Sequence, residues 1–351
     1  MKRVLALSML LLLLAACGPT QTIVITAPPS PFQGAAPAQA QALTQPPARN
    51  NPSSTATPQS PTGNSRSSMS TPQSNEAVGV PNFDHIILIV LENQDYSVAM
   101  DGSSMPHLVD LAQKNVLLTD YFAASHPSLP NYLALMSGST QGVTSDCMNC
   151  FVNAQNLANE IQSSGRTWKA YLESMPSPCF LGNADPYAQK HNPLLYFDSI
   201  RLDASVCDAS IVPMTQLDAD LKANKLPDFS FIMPNLCDSG HDCKAGTADH
   251  WLNGMVSKLQ DSSALGKNSL IILTFDEAKA SDKTSCCGLG SGGGHVATVL
   301  ISPLAKPGFQ DNTPYSHYSL LKTILTAWDL PSLGKTSQST VQPIVAPWTR
   351  K

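Results

Sequence analysis

Four short apolar runs punctuate the second part of this chain: His85–Leu91, Phe229–Met233, Leu270–Phe275 and Val296–Ile301. Each is bounded by polar or turn residues, and their near-continuous apolar character predicts strands covered on both faces. Between them apolar residues recur at helical spacing. Pro106–Asn115 carries Leu108, Val109 and Leu111; Leu129–Met136 follows Ser128; Val152–Ser163 carries Leu157, Ala158 and Ile161. His250–Leu259 and Tyr318–Trp328 show the same period. Strands alternating with helices predict an α/β domain, a mostly parallel central sheet with helices on both faces.

The pattern is absent before residue 81. Lys2-Arg3 and the apolar stretch Val4 to Leu14 have the form of an export signal, too short to span a bilayer. It ends in Leu14-Ala15-Ala16-Cys17, the form of a bacterial lipobox, so Cys17 is the expected site of lipidation and residues 1–17 the signal peptide. Residues 18–80 are rich in Pro, Ser, Thr, Gln and Ala and hold few large apolar side chains. Such a stretch buries too little surface to offset its ordering entropy and is expected to be a disordered tether. Residues 81–351 remain for one catalytic domain. The expected location is the cell envelope outside the cytoplasm, with the membrane as a partner through the lipid.

A formal charge of −5 offers no basic surface and no case for nucleic acid. Of nine cysteines, eight follow Cys17, an even number that favours disulfides in an exported chain. Cys147-x-x-Cys150 taken alone also fits a zinc or redox motif, against which the compartment argues. The pairing is not readable from sequence, and the adjacent Cys286 and Cys287 are expected to reach different partners.

Two strand ends hold candidate chemistry. The first strand runs into Glu92-Asn93 and the third into Asp276-Glu277. Acids gathered at the carboxyl ends of parallel strands need a cation or a proton to coexist. A hard, oxygen-rich set with one Asn suits Ca²⁺ or Mg²⁺, while nearby histidines keep Zn²⁺ or Mn²⁺ open. Ser128, in His126-Pro127-Ser128-Leu129-Pro130-Asn131, opens a helical pattern. It is either a simple cap or a nucleophile at a helix N-terminus, where free amides attract anions. Asn131 is then a donor to a phosphoryl oxygen. His241, with Asp238 or Asp242 to orient it, lies in a loop after the second strand, flanked by Cys237 and Cys243. Gly292-Gly293-Gly294 lets His295 approach a substrate. Gly288, Gly290 and Gly293 spell a dinucleotide pattern only by letter, since a strand follows. His317 opens a helix and reads as structural.

These segments together resemble the phosphoesterase family of bacterial and fungal acid phosphatases and bacterial phospholipases C, within the alkaline-phosphatase-like superfamily. The resemblance rests on Leu91-Glu92-Asn93, His126 to Tyr132, Pro234-Asn235-Leu236-Cys237 through His241-Asp242, Thr274-Phe275-Asp276-Glu277, Gly294-His295, and Tyr315 to Ile324. It implies an alkaline-phosphatase-like fold and a phosphoserine intermediate on Ser128. It also implies one divalent metal ion at Glu92, Asn93, Ser128, Asp276 and Glu277, and phosphate or proton-transfer roles for His126, His241 and His295. Ser239 stands where many relatives carry an acid, which leaves Asp238 without an assigned role. The expected activity is that of an acid-phosphatase-like phosphomonoesterase acting on a phosphate ester. The rivals are a phospholipase C-like phosphodiesterase and a non-catalytic surface binding lipoprotein. The intact set of site residues speaks against the second rival, and the absence of a Gly-x-Ser-x-Gly elbow speaks against a carboxyl-esterase.

Overall fold

The computed structural model describes residues 79–289 and 292–349. The signal peptide, Cys17 and all but the last two residues of the expected tether lie outside the described residues. Among those described, the strands in chain order are β1 (His85–Leu91), β2 (Val116–Leu118), β3 (Tyr121–Phe122), β4 (Trp168–Leu172) and β5 (Ile211–Pro213). They continue as β6 (Phe229–Met233), β7 (Ser269–Phe275), β8 (Thr298–Ile301), β9 (Gln310–Asp311) and β10 (Tyr315–Ser316).

Eight of them form one sheet in the order β5-β4-β6-β1-β7-β8-β2-β9, while β3 and β10 pair separately. All neighbours in the large sheet run parallel except β8, which is antiparallel to both β7 and β2. Every residue of β6 and β7, and all of β1 after His85, is buried. Burial on both faces of a parallel strand requires helices above and below it, so the expected α/β architecture is the one found. From β1 the chain crosses to β2 on one side and later builds β4, β5 and β6 on the other. The winding therefore reverses at β1, the place where open α/β sheets open a crevice for ligands.

The apolar runs located the central strands closely; β7 gains Ser269 and β8 begins at Thr298. Of the helical patterns, Val152–Ser163 shortens to Leu157–Ser163, because Val152 instead bridges Phe197 and Asn156 caps the helix by accepting from the Asn159 N–H. The helix Ser128–Ser137 is buried along its whole length. It stops at Gly138, whose φ of +69° is left-handed, and a Cβ there would lie 2.1 Å from the Leu333 carbonyl oxygen. Only glycine serves that close crossing. No helix among the described residues is long and apolar enough to cross a membrane.

Four disulfides form: Cys147–Cys150, Cys179–Cys207, Cys237–Cys243 and Cys286–Cys287. The last corrects the expectation that neighbouring cysteines seek different partners. Successive side chains diverge in an extended chain, but Cys287 sits in a turn with φ of +60°.

Candidate active site

Strand register assembles the acids. In the parallel pair β1–β7, Leu91 lies opposite Phe275, so Glu92 and Asp276 leave adjacent strands at the same level. The Asp276 amide donates to the Leu91 carbonyl at 2.9 Å, and the Asn93 amide donates to Asp276 Oδ1 at 3.1 Å. Asn93 takes a left-handed φ of 55°, which turns the chain there and lets its Nδ2 donate to Glu92 Oε2 at 3.1 Å. The N-terminus of the helix Ser128–Ser137 meets this pair. Ser128 Oγ donates to Glu92 Oε2 at 3.2 Å and reaches Glu277 Oε1 at 3.5 Å. Glu92, Asp276, Ser128 and Glu277 are all buried.

Burial and the neighbouring charges raise the pKa of two of these acids, Glu92 and Asp276. Burial first, and the Asp276 charge second, push the Glu92 carboxyl well above the usual range, although Tyr132 donates a short hydrogen bond to its Oε1. Burial and then the Glu277 charge push Asp276 up to about 7. His126 steadies Glu277, with Nδ1 2.5 Å from Oε2 and Nε2 2.7 Å from the Asp282 carbonyl. Both ring nitrogens face acceptors, so the ring is favoured as an imidazolium, and the Glu277 bond raises its pKa against the effect of burial.

A second group of donors meets Glu92 from the other side. One ligand atom from each of Glu92, His191 and His241 lies within 4.8 Å of the others. His191 Nε2 is 3.2 Å from Glu92 Oε1, yet outside hydrogen-bonding geometry, and has no partner. Burial, with the Lys190 charge behind it, holds this imidazole neutral. His241 is oriented by Asp242, whose Oδ1 lies 2.6 Å from Nδ1; this leaves Nε2 facing Lys190 Nζ at 3.1 Å. A histidine fixed through one nitrogen presents a lone pair at the other. Asp276 Oδ2 is likewise buried without a partner. Two orphaned buried atoms beside raised-pKa acids fit a divalent cation, which would favour the ionised carboxylates and accept both lone pairs.

The structure thus brings Glu92, Asn93, Ser128, Asp276, Glu277 and His126 together, with His241 and Asp242 alongside. Two expectations need correction. Asn131 does not face the site as a donor: its Oδ1 accepts from the Ala124 and Ser125 amides at 2.9 Å each, and its Nδ2 donates to the Ser125 and Pro127 carbonyls at 2.7 and 3.2 Å. It staples the turn that precedes the nucleophile candidate. His295 is held elsewhere, with its ring stacked 4.2 Å from Tyr96 and its Nε2 2.9 Å from the Thr119 carbonyl. Among the described residues its side-chain hydrogen bond reaches that carbonyl and no carboxylate of the cluster. His317 is the expected structural histidine, buried with Nε2 2.6 Å from the Asp276 carbonyl and Nδ1 3.1 Å from Tyr121 Oη.

Sequence reasoning missed Lys190, His191 and Tyr132. The signal for the first two was the polar run Gln189-Lys190-His191-Asn192 directly before the apolar Pro193-Leu194-Leu195-Tyr196. Gln189, His191 and Asn192 prove almost wholly buried.

Similarity to known proteins agrees with this geometry. The chain is 34% identical over 264 residues to a phosphate-repressible acid phosphatase of Penicillium chrysogenum, covering 72% of this chain and 61% of that protein. It is 31% identical to a phosphatidylinositol-3-phosphatase of Mycobacterium tuberculosis, covering 78% of this chain and 85% of that protein. The chain spans about three fifths of the length of the fungal acid phosphatases it matches, from 56% to 61%. In structure it is similar to a protein of the alkaline phosphatase superfamily from Vibrio parahaemolyticus, with a TM-score of 0.53 at 11% identity, over 78% of this chain and 72% of that one. That likeness concerns the fold. Residues 98–331, which hold the helix of Ser128, His191, His241 and the Asp276-Glu277 pair, match the Phosphoesterase family, and the chain belongs to it.

Proposed function

We propose that the chain is a phosphoric ester hydrolase, a metal-dependent phosphomonoesterase that works through a phosphoserine on Ser128. One observation carries the reading: a serine hydroxyl at the N-terminus of a buried helix, 3.2 Å from Glu92 and 3.5 Å from Glu277, where two parallel strands end. Kinship to the acid phosphatases supports the activity. The name of the mycobacterial relative adds phosphorylated inositol lipids to the candidate monoesters.

Ser128 Oγ attacks phosphorus in line, and Glu92 Oε2, which already accepts its hydrogen bond, is placed to take the proton. The P–O bond to the alcohol breaks, and water then hydrolyses the phosphoserine. Glu92, His191 and His241, with Asp276 beside them, would hold a divalent ion that supplies Lewis-acid charge toward the phosphoryl oxygens. Two imidazole donors move the expected ion from Ca²⁺ or Mg²⁺ toward Zn²⁺ or Mn²⁺. His126 aims Glu277 through the contact of its Nδ1 with Oε2. His241, turned by Asp242, serves either the ion or the departing alcohol, but not both at once.

Ser128→Ala should abolish turnover of p-nitrophenyl phosphate while the protein still melts cooperatively; near-normal phosphate release by that variant ends the assignment. Comparing p-nitrophenyl phosphate with p-nitrophenyl phosphorylcholine separates the monoesterase from a phospholipase C-like diesterase. Running both with a chelator and then with Zn²⁺, Mn²⁺, Ca²⁺ or Mg²⁺ restored identifies the ion. Export and membrane anchoring through Cys17 belong to the same proposal. The four disulfides support an oxidising compartment, and mass spectrometry of the mature N-terminus tests the lipid.

A further inference from the structure

The helix that carries Ser128 already holds an anion, and it is one of the protein's own. Asp146 Oδ1 accepts the amide of Leu129, the residue after Ser128, at 2.9 Å. Its Oδ2 accepts from Lys190 Nζ at 2.8 Å. The ten-residue helix has no side-chain cap from Pro127, so Asp146 provides what a capping residue would. Lys190 in turn lies 3.1 Å from His241 Nε2 and feels the charges of Glu92 and Asp276. One carboxylate therefore joins an amide of the nucleophile's helix to the cation beside the metal-ligand candidates. The next residue, His191, keeps its Nε2 without a hydrogen-bond partner in a side chain 3% exposed, and it offers a ligand atom within 4.8 Å of His241, whose Nε2 Lys190 faces.

The mounting of Asp146 differs from that of the groups around it. Ser128, Glu92 and Asp276 sit on buried elements. Asp146 sits in a segment with no helix or strand between Ser137 and Leu157, beside the Cys147–Cys150 disulfide, with its side chain 26% exposed. A further tie is the Gln189 Nε2 bond to the Met148 carbonyl at 2.7 Å. A carboxylate and a phosphoryl group ask for the same donors: a helix amide and an ammonium.

We propose that Asp146 stands in for the phosphoryl group in the free protein, and that a phosphate monoester or inorganic phosphate binds by displacing it from the Leu129 amide and Lys190. Those two donors then hold the phosphoryl oxygens. The inference rests on the phosphatase reading and deepens it: Lys190 is a phosphate-binding residue, and Asp146 sets how tightly the site holds phosphate. Apparent affinity falls by the fraction of molecules in which Asp146 occupies the site. A dianionic monoester competes with a single carboxylate for Lys190 better than a monoanionic diester does, so the exchange also favours monoesters.

The test is calorimetric titration of inorganic phosphate into the wild-type protein and into Asp146→Asn, Asp146→Ala and Lys190→Met, all in the same divalent-cation buffer, with thermal melts as a folding control. Both Asp146 variants should bind phosphate about tenfold more tightly, and Lys190→Met about tenfold more weakly. A purely structural brace gives the opposite sign: phosphate binding unchanged or weaker without Asp146 overturns the proposal, as does unchanged binding in Lys190→Met. If the alanine variant fails to fold, the isosteric asparagine decides. The readout needs no turnover, so a wild-type protein without phosphatase activity would sink the functional reading and leave this titration to judge the anion exchange.

Discussion

Replacing Asp276 with asparagine should make the metal-free protein more stable at neutral pH while removing its response to metal. Burial and the Glu277 charge hold the Asp276 carboxyl at about 7, against about 3.9 in an unfolded chain. An acid with a raised folded pKa binds its proton more tightly in the folded state. Its contribution is therefore fully present below about pH 4 and is lost as pH climbs through about 7. A gap of about three units corresponds to roughly 4 kcal/mol, a large part of the 5–15 kcal/mol that typically separates folded from unfolded protein. Glu92 shifts in the same direction, through burial and then the Asp276 charge, and adds to the loss. Asparagine keeps the shape of the side chain and cannot ionise. Urea denaturation in chelator at pH 5, 6, 7 and 8 checks this directly. The wild type should lose stability steadily across the series. Asp276→Asn should already exceed it by roughly 1–2 kcal/mol at pH 5 and by roughly 4 kcal/mol at pH 8, and gain little when a divalent ion is returned. A chelated wild type whose stability stays flat or rises from pH 5 to 8, or an asparagine variant no more stable at pH 8, would refute the reading of Asp276 as an ion-seeking carboxylate.

Two further substitutions separate roles that geometry leaves adjacent. If His241 protonates the leaving group, His241→Gln should cost far more with alkyl phosphates than with p-nitrophenyl phosphate, at unchanged metal content; if it is a ligand, bound metal measured by mass spectrometry should fall and both substrates should suffer alike. Asn131 is wholly buried and makes four bonds to the turn 124–127, so Asn131→Ala should lower the unfolding free energy by roughly 2–4 kcal/mol, a loss that a phosphoryl donor with no structural duty would not show in urea denaturation.

The acids were legible because strand chemistry is local. An unbroken apolar run followed by Glu92-Asn93 or Asp276-Glu277 states both the strand and the place where it stops. Only the lateral register of β1 against β7 was needed to put Glu92 beside Asp276. β2, β4 and β5 were less visible. Three residues such as Val116–Leu118 carry no period, and Trp168-Lys169-Ala170-Tyr171-Leu172 places a lysine inside a strand, where its Nζ is held by Asp220 Oδ2 at 2.5 Å. Asn131 was assigned from motif position alone, yet a side-chain amide donates or accepts according to which backbone groups surround it, and the turn 124–127 that saturates it exists only in the fold.

Lys190 and His191 show why loops hide function. They follow no helix or strand of their own beyond a single 3-10 turn, Gln189–His191, yet that turn delivers one side chain to Asp146 and the next to Glu92. The cause lies in burial. His191 can be neutral, enclosed and unpartnered because the low-dielectric surroundings that penalise its charged form leave a free lone pair at no ionic cost. The same surroundings raise the pKa of Glu92 and Asp276. A proton or a cation must therefore settle where these groups meet, and the nitrogen lone pairs of His191 and His241 incline that place toward a cation. The sheet supplies the carboxylates, the loops supply the two imidazoles, and Glu92 is the residue on which both converge.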